Sequence, residues 1–250
     1  MRTSWPKELP RLTAEQELIR DDFMRHWHEV LPSRYPIIER FNHGYAVRSA
    51  RLGAKTLEIG AGLGEHLAFE PRPHDNYWAL ELRDEMAKCI KRRYPEVNMV
   101  VGDCQHELPF DDQSFDRAVA IHVLEHLPNL PNAIAELRRV LKPDGELIVV
   151  IPCEGGLAYA LARRISAQRI FERRYGMSYD WFVRSEHINV PGEILAELAR
   201  EFAIDQRSYF PLKVPSVTMN LVLGLTLRPL NVGGHALRSA VPRTVSEPVS

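Results

Sequence analysis

Residues 57–64 read Leu57-Glu58-Ile59-Gly60-Ala61-Gly62-Leu63-Gly64: a short apolar run carrying one carboxylate, then glycine at every second position. A strand entering such a turn lets a ligand approach the backbone closely and presents amides at the start of a helix. A dinucleotide-binding turn follows the pattern G-x-G-x-x-G, whose third glycine would fall at position 65. That residue is Glu65. Carboxylates at Glu58 and Glu65 would repel a pyrophosphate and suit a ligand that carries an ammonium group and no phosphate.

Outward from this segment, apolar runs recur at Thr56–Ile59, Tyr77–Leu82, Asn98–Gly102, Arg117–Leu124 and Glu146–Ile151. Amphipathic helices are predicted between them, at Asp84–Arg93 with Asp84 as N-cap, and at Pro131–Leu141 with Pro143-Asp144-Gly145 ending it. Leu147-Ile148-Val149-Val150-Ile151 is apolar on both faces, as parallel strands covered by helices on both sides are. Alternating strands and helices specify an α/β, doubly wound, mostly parallel sheet.

Before the first strand, Thr13 and Gln16 form a capping box. Leu18, Ile19, Phe23, Trp27, Val30 and Leu31 then share one helical face, and a second helix from Pro36 points Ile37, Ile38, Phe41 and Tyr45 inward. After Pro152, a helix is expected over 155–174, then an aromatic segment (Tyr175, Tyr179, Trp181, Phe182) and a helix over Pro191–Phe202. Ile204–Phe210 and Thr218–Leu227 fit two closing strands. The expected organisation is a helical extension or lid over 1–50 and a core domain over 51–230. Residues 153–190 form a substrate-side insertion, and 231–250 a disordered tail.

Each further strand ends in polar residues. Glu81 closes the second run, where a carboxylate can accept hydrogen bonds from both hydroxyls of a ribose. Asp103-Cys104 closes the third, ahead of Leu108-Pro109-Phe110-Asp111-Asp112-Gln113-Ser114-Phe115-Asp116. Ile121-His122-Val123-Leu124-Glu125-His126-Leu127 closes the fourth, and Leu137-Arg138-Arg139-Val140-Leu141-Lys142-Pro143-Asp144-Gly145-Glu146-Leu147 leads into the fifth. In this order and spacing the blocks resemble class I S-adenosylmethionine-dependent methyltransferases, the type 11 group in particular. The resemblance is close over 52–152 and loose elsewhere.

It implies a seven-stranded Rossmann-like sheet whose last strand is antiparallel, with S-adenosylmethionine as cofactor and S-adenosylhomocysteine as product. By position, Glu58, Gly60, Ala61 and Gly62 would border the methionine end, and Gly64 would shape the same turn. Glu81 would hold the ribose, Leu82 would pack on the adenine, Asp103 and Cys104 would meet the adenine edge, and His122 would lie beneath the sulfonium. The implied reaction is methyl transfer to a hydroxyl or amine of a small molecule. Candidate bases are His122, His126 and His187, because histidine titrates near neutral pH. A local structural role for His126, and a helix-capping one for His187, are the alternatives.

Five arginines fall between Arg163 and Arg174 against the single Glu172. They make a solvated face, a grip on an anionic acceptor through Arg163, Arg164 and Arg169, or, with Leu157, Tyr159 and Leu161, a peripheral membrane contact. A looser resemblance to methyltransferases of bacterial surface-polysaccharide gene clusters suggests a glycan precursor or a phosphate-bearing sugar or lipid.

Composition narrows the rest. The 250 residues carry 32 Lys+Arg and 33 Asp+Glu, a net charge of -1 that argues against a general nucleic-acid binder. Cys89, Cys104 and Cys153 are too scattered for a disulfide framework or a metal site. No apolar run approaches the ~20 residues of a membrane span, and the first dozen residues do not read as a secretory signal. A cytoplasmic monomer or homodimer is expected. Rival readings are a non-enzymatic cofactor-binding module and an RNA methyltransferase using Cys153 as nucleophile. A NAD-linked dehydrogenase is disfavoured by Glu65, and an aminopropyl transferase by having only Glu125 after the fourth strand.

Overall fold

The computed structural model describes residues 4–230, and of residues 28–33 the backbone alone. The expected tail at 231–250 and the side chains of Val30 and Leu31 lie outside the described residues.

Seven strands form one sheet in the order β3-β2-β1-β4-β5-β7-β6. They are β1 (Thr56–Ile59), β2 (Tyr77–Glu81), β3 (Asn98–Val101), β4 (Phe115–Ile121), β5 (Leu141–Pro152), β6 (Phe202–Phe210) and β7 (Val222–Pro229). Strands β1 to β5 pair in parallel, and β7 runs antiparallel between β5 and β6. This is the Rossmann-like methyltransferase topology that the resemblance implies.

Helices cover both faces, which is why the strands are apolar on both. Leu57, Ile59, Ala118, Ala120, Leu147 and Val149 pack on α4 (Leu130–Val140) and α8 (Pro191–Glu201). The opposite face packs on α2 (Pro36–Ala46) and α3 (Asp84–Arg93), through Tyr45 and Ala46 in one cluster and Ile90 in another. Gly224 admits α2, since a Cβ there would lie 2.7 Å from the Tyr45 ring. The Tyr45 hydroxyl is 2.9 Å from Thr226 Oγ1. Helix α2 is therefore a layer of the sheet.

Under α2 lies a buried ion pair. Arg117 on β4 is fully buried, and donates to Glu70 Oε1 and to the Ala46 carbonyl, each at 2.8 Å. His66 Nε2 lies 2.7 Å from Glu70. Burial pushes the His66 pKa down to about 4, so its imidazole stays neutral.

The remaining helices make a separate outer unit: α1 (Ala14–Arg34), α5 (Leu157–Ile165), α6 (Ala167–Tyr175) and α7 (Asp180–Glu186). Its core is Phe23, Ala167, Phe171, Tyr179 and Phe182. Phe23 meets Phe171 at 5.0 Å and Phe182 at 5.1 Å, both edge-on. The capping box of α1 forms reciprocally between Thr13 and Gln16.

Several expectations are corrected. Leu18 and Ile37 are not inward, being 74% and 69% exposed. The N-cap of α3 is Arg83, and Asp84 is its first residue, where its charge still suits the helix dipole. Helix α4 ends at Val140 because Leu141 is already extended and pairs with Phe115, so Pro143-Asp144-Gly145 falls in an irregularity of β5. The helix expected over 155–174 breaks at Ser166, whose φ of -117° and ψ of -99° are not helical. The last strand begins at Val222 rather than Thr218.

Candidate active site

The strand order reverses between β1 and β4, and the carboxyl ends of the parallel strands open a crevice there. Ligands of open α/β sheets bind at such switch points. The glycine turn leaves β1 on one side of it, and His122 leaves β4 on the other.

Gly60, Gly62 and Gly64 have φ of 63°, 58° and 78°, values that favour glycine. At Gly60 space also excludes a side chain, because a Cβ would sit 2.4 Å from Val123 Cγ2. This close approach of the β1 and β4 ends draws Gly60, Ala61, Gly62 and His122 to one crevice. Across it, the Glu81 carboxylate accepts Gly62 N–H at 2.9 Å and Arg83 N–H at 3.0 Å, one on each oxygen. Each oxygen keeps acceptor capacity for a further donor, as ribose hydroxyls require. Leu82, next to it, is 62% exposed and offers apolar surface for a base. At the end of β3, Asp103 accepts the backbone and side-chain N–H groups of Gln105. Gln105 in turn accepts Asn129 N–H at 2.7 Å, fixing the loop. Cys104 is buried beside it.

Glu58 is buried and accepts the Tyr77 hydroxyl at 3.0 Å. Burial, reinforced by Glu70 and Glu65, raises its pKa to about 8, so it is largely protonated at neutral pH. A ligand ammonium nearby would reverse that. The donor set fits S-adenosylmethionine: a carboxylate for the ribose, a second for an ammonium, and a glycine turn without phosphate chemistry.

Beyond β4, side chains distant in sequence build a second cluster. His122 has φ of 53°, a strained value for a non-glycine residue, held by its N–H to the Val150 carbonyl at 2.9 Å. Its Nδ1 lies 3.2 Å from Glu125 Oε1. Glu125 is buried; burial would raise its pKa, but the His122 hydrogen bond and the imidazoles of His126 and His187 outweigh this and hold it below the ordinary value. Ile188 and Asn189 N–H both donate to the Glu125 carbonyl, and Asn189 Nδ2 donates to the carbonyls of Leu124 and Leu127, each at 2.8 Å. This clasp carries His187 against His126, ring centres 5.2 Å apart.

His187 Nδ1 lies 2.9 Å from Glu154 Oε2, whose other oxygen accepts Arg163 Nη1 at 2.5 Å. His126 Nδ1 donates to the Glu186 carbonyl at 2.6 Å, and burial lowers its pKa. The structure thus brings His122, His126, His187 and Arg163 together. Arg164 and Arg169 are exposed outside this cluster.

Sequence reasoning missed Glu154 as the partner of His187, Gln105, and the Asn189 clasp. The one signal for Glu154 was a carboxylate directly after the fifth strand. Cys153 is fully buried, and burial pushes its thiol up to about 12, which leaves no thiolate for an RNA-methylating nucleophile.

Known proteins resemble this chain in sequence and in fold. Residues 57–149, from the glycine strand through most of β5, match the family model described as Methyltransferase domain. The chain is similar to the ubiquinone/menaquinone biosynthesis C-methyltransferase UbiE of Bordetella avium, 27% identical over 179 residues, which are 66% of this chain and 69% of that protein. In fold it resembles a TehB-like SAM-dependent methyltransferase from Corynebacterium glutamicum, with a TM-score of 0.59 and 18% identity over 86% of this chain and all of that one. It likewise resembles the trans-methyltransferase CalH, solved in complex with SAH, with a TM-score of 0.55 and 18% identity over 84% of this chain and 64% of that one. The matched segment contains the glycine turn, Glu81, Asp103 and His122, so residues 57–149 carry the methyltransferase domain of the type 11 group, on a fold shared with S-adenosylmethionine-dependent methyltransferases.

Proposed function

We propose that the protein methylates a hydroxyl or amine of a small, largely apolar acceptor, with His122 as the proton acceptor. The observation that carries this reading is a histidine at the switch point, paired through Nδ1 with the buried carboxylate of Glu125. That pairing orients the ring and leaves Nε2 as the nitrogen that takes the proton. S-adenosylmethionine supplies a methyl already activated by its sulfonium. The protein's own tasks are to align the nucleophile, worth roughly 7–11 kcal/mol in well-oriented cases, and to remove its proton, worth about 10²–10⁴-fold. His187, Glu154 and Arg163 act as positioning residues on the acceptor side. Helices α1 and α5 to α7 roof that side, so the lid reading attaches to α1 rather than to all of residues 1–50.

An apolar acceptor is favoured over a phosphate-bearing glycan precursor for two reasons. Arg163 is already neutralised by Glu154, and Arg164 and Arg169 stand outside the cluster. The Bordetella relative is, by its name, a C-methyltransferase of ubiquinone and menaquinone biosynthesis, which bears on the apolar class of the acceptor and not on the atom methylated.

Methyl-labelled cofactor offered with hydroxylated quinones, phenols, amines and nucleotide sugars tests the reading. Label should reach the apolar hydroxylated acceptors, and His122→Asn should lower turnover about 10²–10⁴-fold, more than it lowers S-adenosylhomocysteine affinity. Full turnover by the folded variant, or transfer to nucleotide sugars alone, would sink it.

A further inference from the structure

Among the described residues, helix α5 leaves a large apolar face without a partner. Leu157, Leu161 and Ile165 are 75%, 63% and 67% exposed, and their spacing of four places them on one stripe roughly 6 Å apart. The loop between β6 and β7 extends this surface: Ala158 N–H donates to the Thr218 carbonyl, and neighbouring Met219 is 49% exposed. Exposed apolar residues scattered singly are ordinary, but a contiguous stripe marks a contact.

Beside the stripe lie cations. Arg34, Arg169 and Arg173 line a cavity of about 220 Å³ together with Ile165, Ser166 and Ile170. Arg164 stands on the stripe itself. Among the described residues no carboxylate pairs with any of these four arginines, whereas Arg163 and Arg174 are paired with Glu154 and Asp22. Glu172, the one acid on α6, is bonded to Gln168. The molecule keeps a net charge of only -1, so these unpaired guanidiniums form a local field rather than reflecting a basic protein.

We propose that α5 and the start of α6 dock this enzyme on an anionic bilayer surface, with Leu157, Leu161 and Ile165 entering the acyl boundary and Arg34, Arg164, Arg169 and Arg173 meeting lipid phosphates. Apolar residues next to unpaired arginines are the composition of an interfacial helix. A soluble phosphate ester would use the arginines but leave the leucines unexplained. A second copy would set arginines against arginines. Helix α5 starts three residues after Glu154, which holds His187, so a docked molecule would present its acceptor side to the bilayer. The inference stands on this surface alone and does not depend on which atom is methylated.

Co-sedimentation tests it, using vesicles of phosphatidylglycerol and phosphatidylcholine in equal parts and vesicles of phosphatidylcholine alone. The wild-type chain should bind the first, not the second, and be released by high salt. Leu157→Ser/Leu161→Glu and Arg169→Glu/Arg173→Glu should each lower binding by about tenfold or more. Both should retain the thermal shift given by S-adenosylhomocysteine, which separates failed docking from failed folding or cofactor binding. Salt-insensitive binding to both vesicles, or no binding by a protein that still responds to S-adenosylhomocysteine, overturns the proposal. Loss in the arginine variant with the leucine variant unchanged points to a soluble phosphate ligand and also overturns it. A dimer that the leucine variant dissociates assigns the stripe to a second copy, with the same consequence.

Discussion

The crevice edge on β1 to β3 and the acceptor side beyond β4 and β5 are held together by different means. The first is backbone: three glycines of positive φ, a close contact between Gly60 and Val123, and a Glu81 carboxylate gripping two amides. The second is side chain on side chain across long stretches of sequence, as in His187 on Glu154, Asn189 on Leu124 and Phe23 on Phe171. A site built from backbone fixes what it binds. A site built from side chains leaves the acceptor free to differ while the cofactor stays the same.

The most damaging change expected on the sheet side is Glu70→Ala. It strands the fully buried Arg117 charge and should destabilise the fold by about 3–5 kcal/mol, read by chemical denaturation. Unchanged stability would mean the pair does not hold β4 to the segment that carries Glu70. Gly60→Val should abolish S-adenosylhomocysteine binding in calorimetry, since the side chain meets Val123 and strains the turn. Binding at normal affinity would remove the turn from the site. On the outer side, Phe23→Ala deletes the hub of the aromatic cluster and should loosen α1, speeding proteolysis within it and lowering acceptor turnover. Cofactor affinity should hold; its loss would show that the two regions are not independent.

A smaller effect concerns Glu58. Its folded pKa of about 8 lies above the ordinary carboxylate value because of burial. Between the ordinary value and 8 the native state therefore holds a proton that the unfolded state has lost. Stability contributed by this group is full below the ordinary value and declines as pH rises through 8. Glu58→Gln should flatten that decline in melting temperature. If cofactor ammonium lies beside Glu58, binding also releases a proton, and wild-type affinity should increase from pH 6 towards 8. A pH-independent affinity would place the ammonium elsewhere.

The same contrast explains what the sequence disclosed. Strand positions, the sheet class and the glycine turn were legible because local periodicity and backbone demands determine them. Where helix α4 stops was not legible: Pro143-Asp144-Gly145 looks like a terminator, yet Leu141 pairs with Phe115 first. The break at Ser166 carries neither proline nor glycine to announce it. Leu18 and Ile37 fit inward periodicity, but among the described residues nothing packs over them. The histidines could be named but not joined, because Glu154 and His187 are 33 residues apart and meet in the folded chain, where Asn189 ties the next turn to Leu127.

The most direct measurement is the calorimetric affinity for S-adenosylhomocysteine of Glu81→Gln and Glu154→Gln, side by side with the parent chain. Losing charge-assisted hydrogen bonds at Glu81 should cost about 1.5–3 kcal/mol of binding, while Glu154→Gln should bind as the parent does. Equal losses in both variants, or none at Glu81, would contradict a cofactor held by the crevice edge and an acceptor held apart from it.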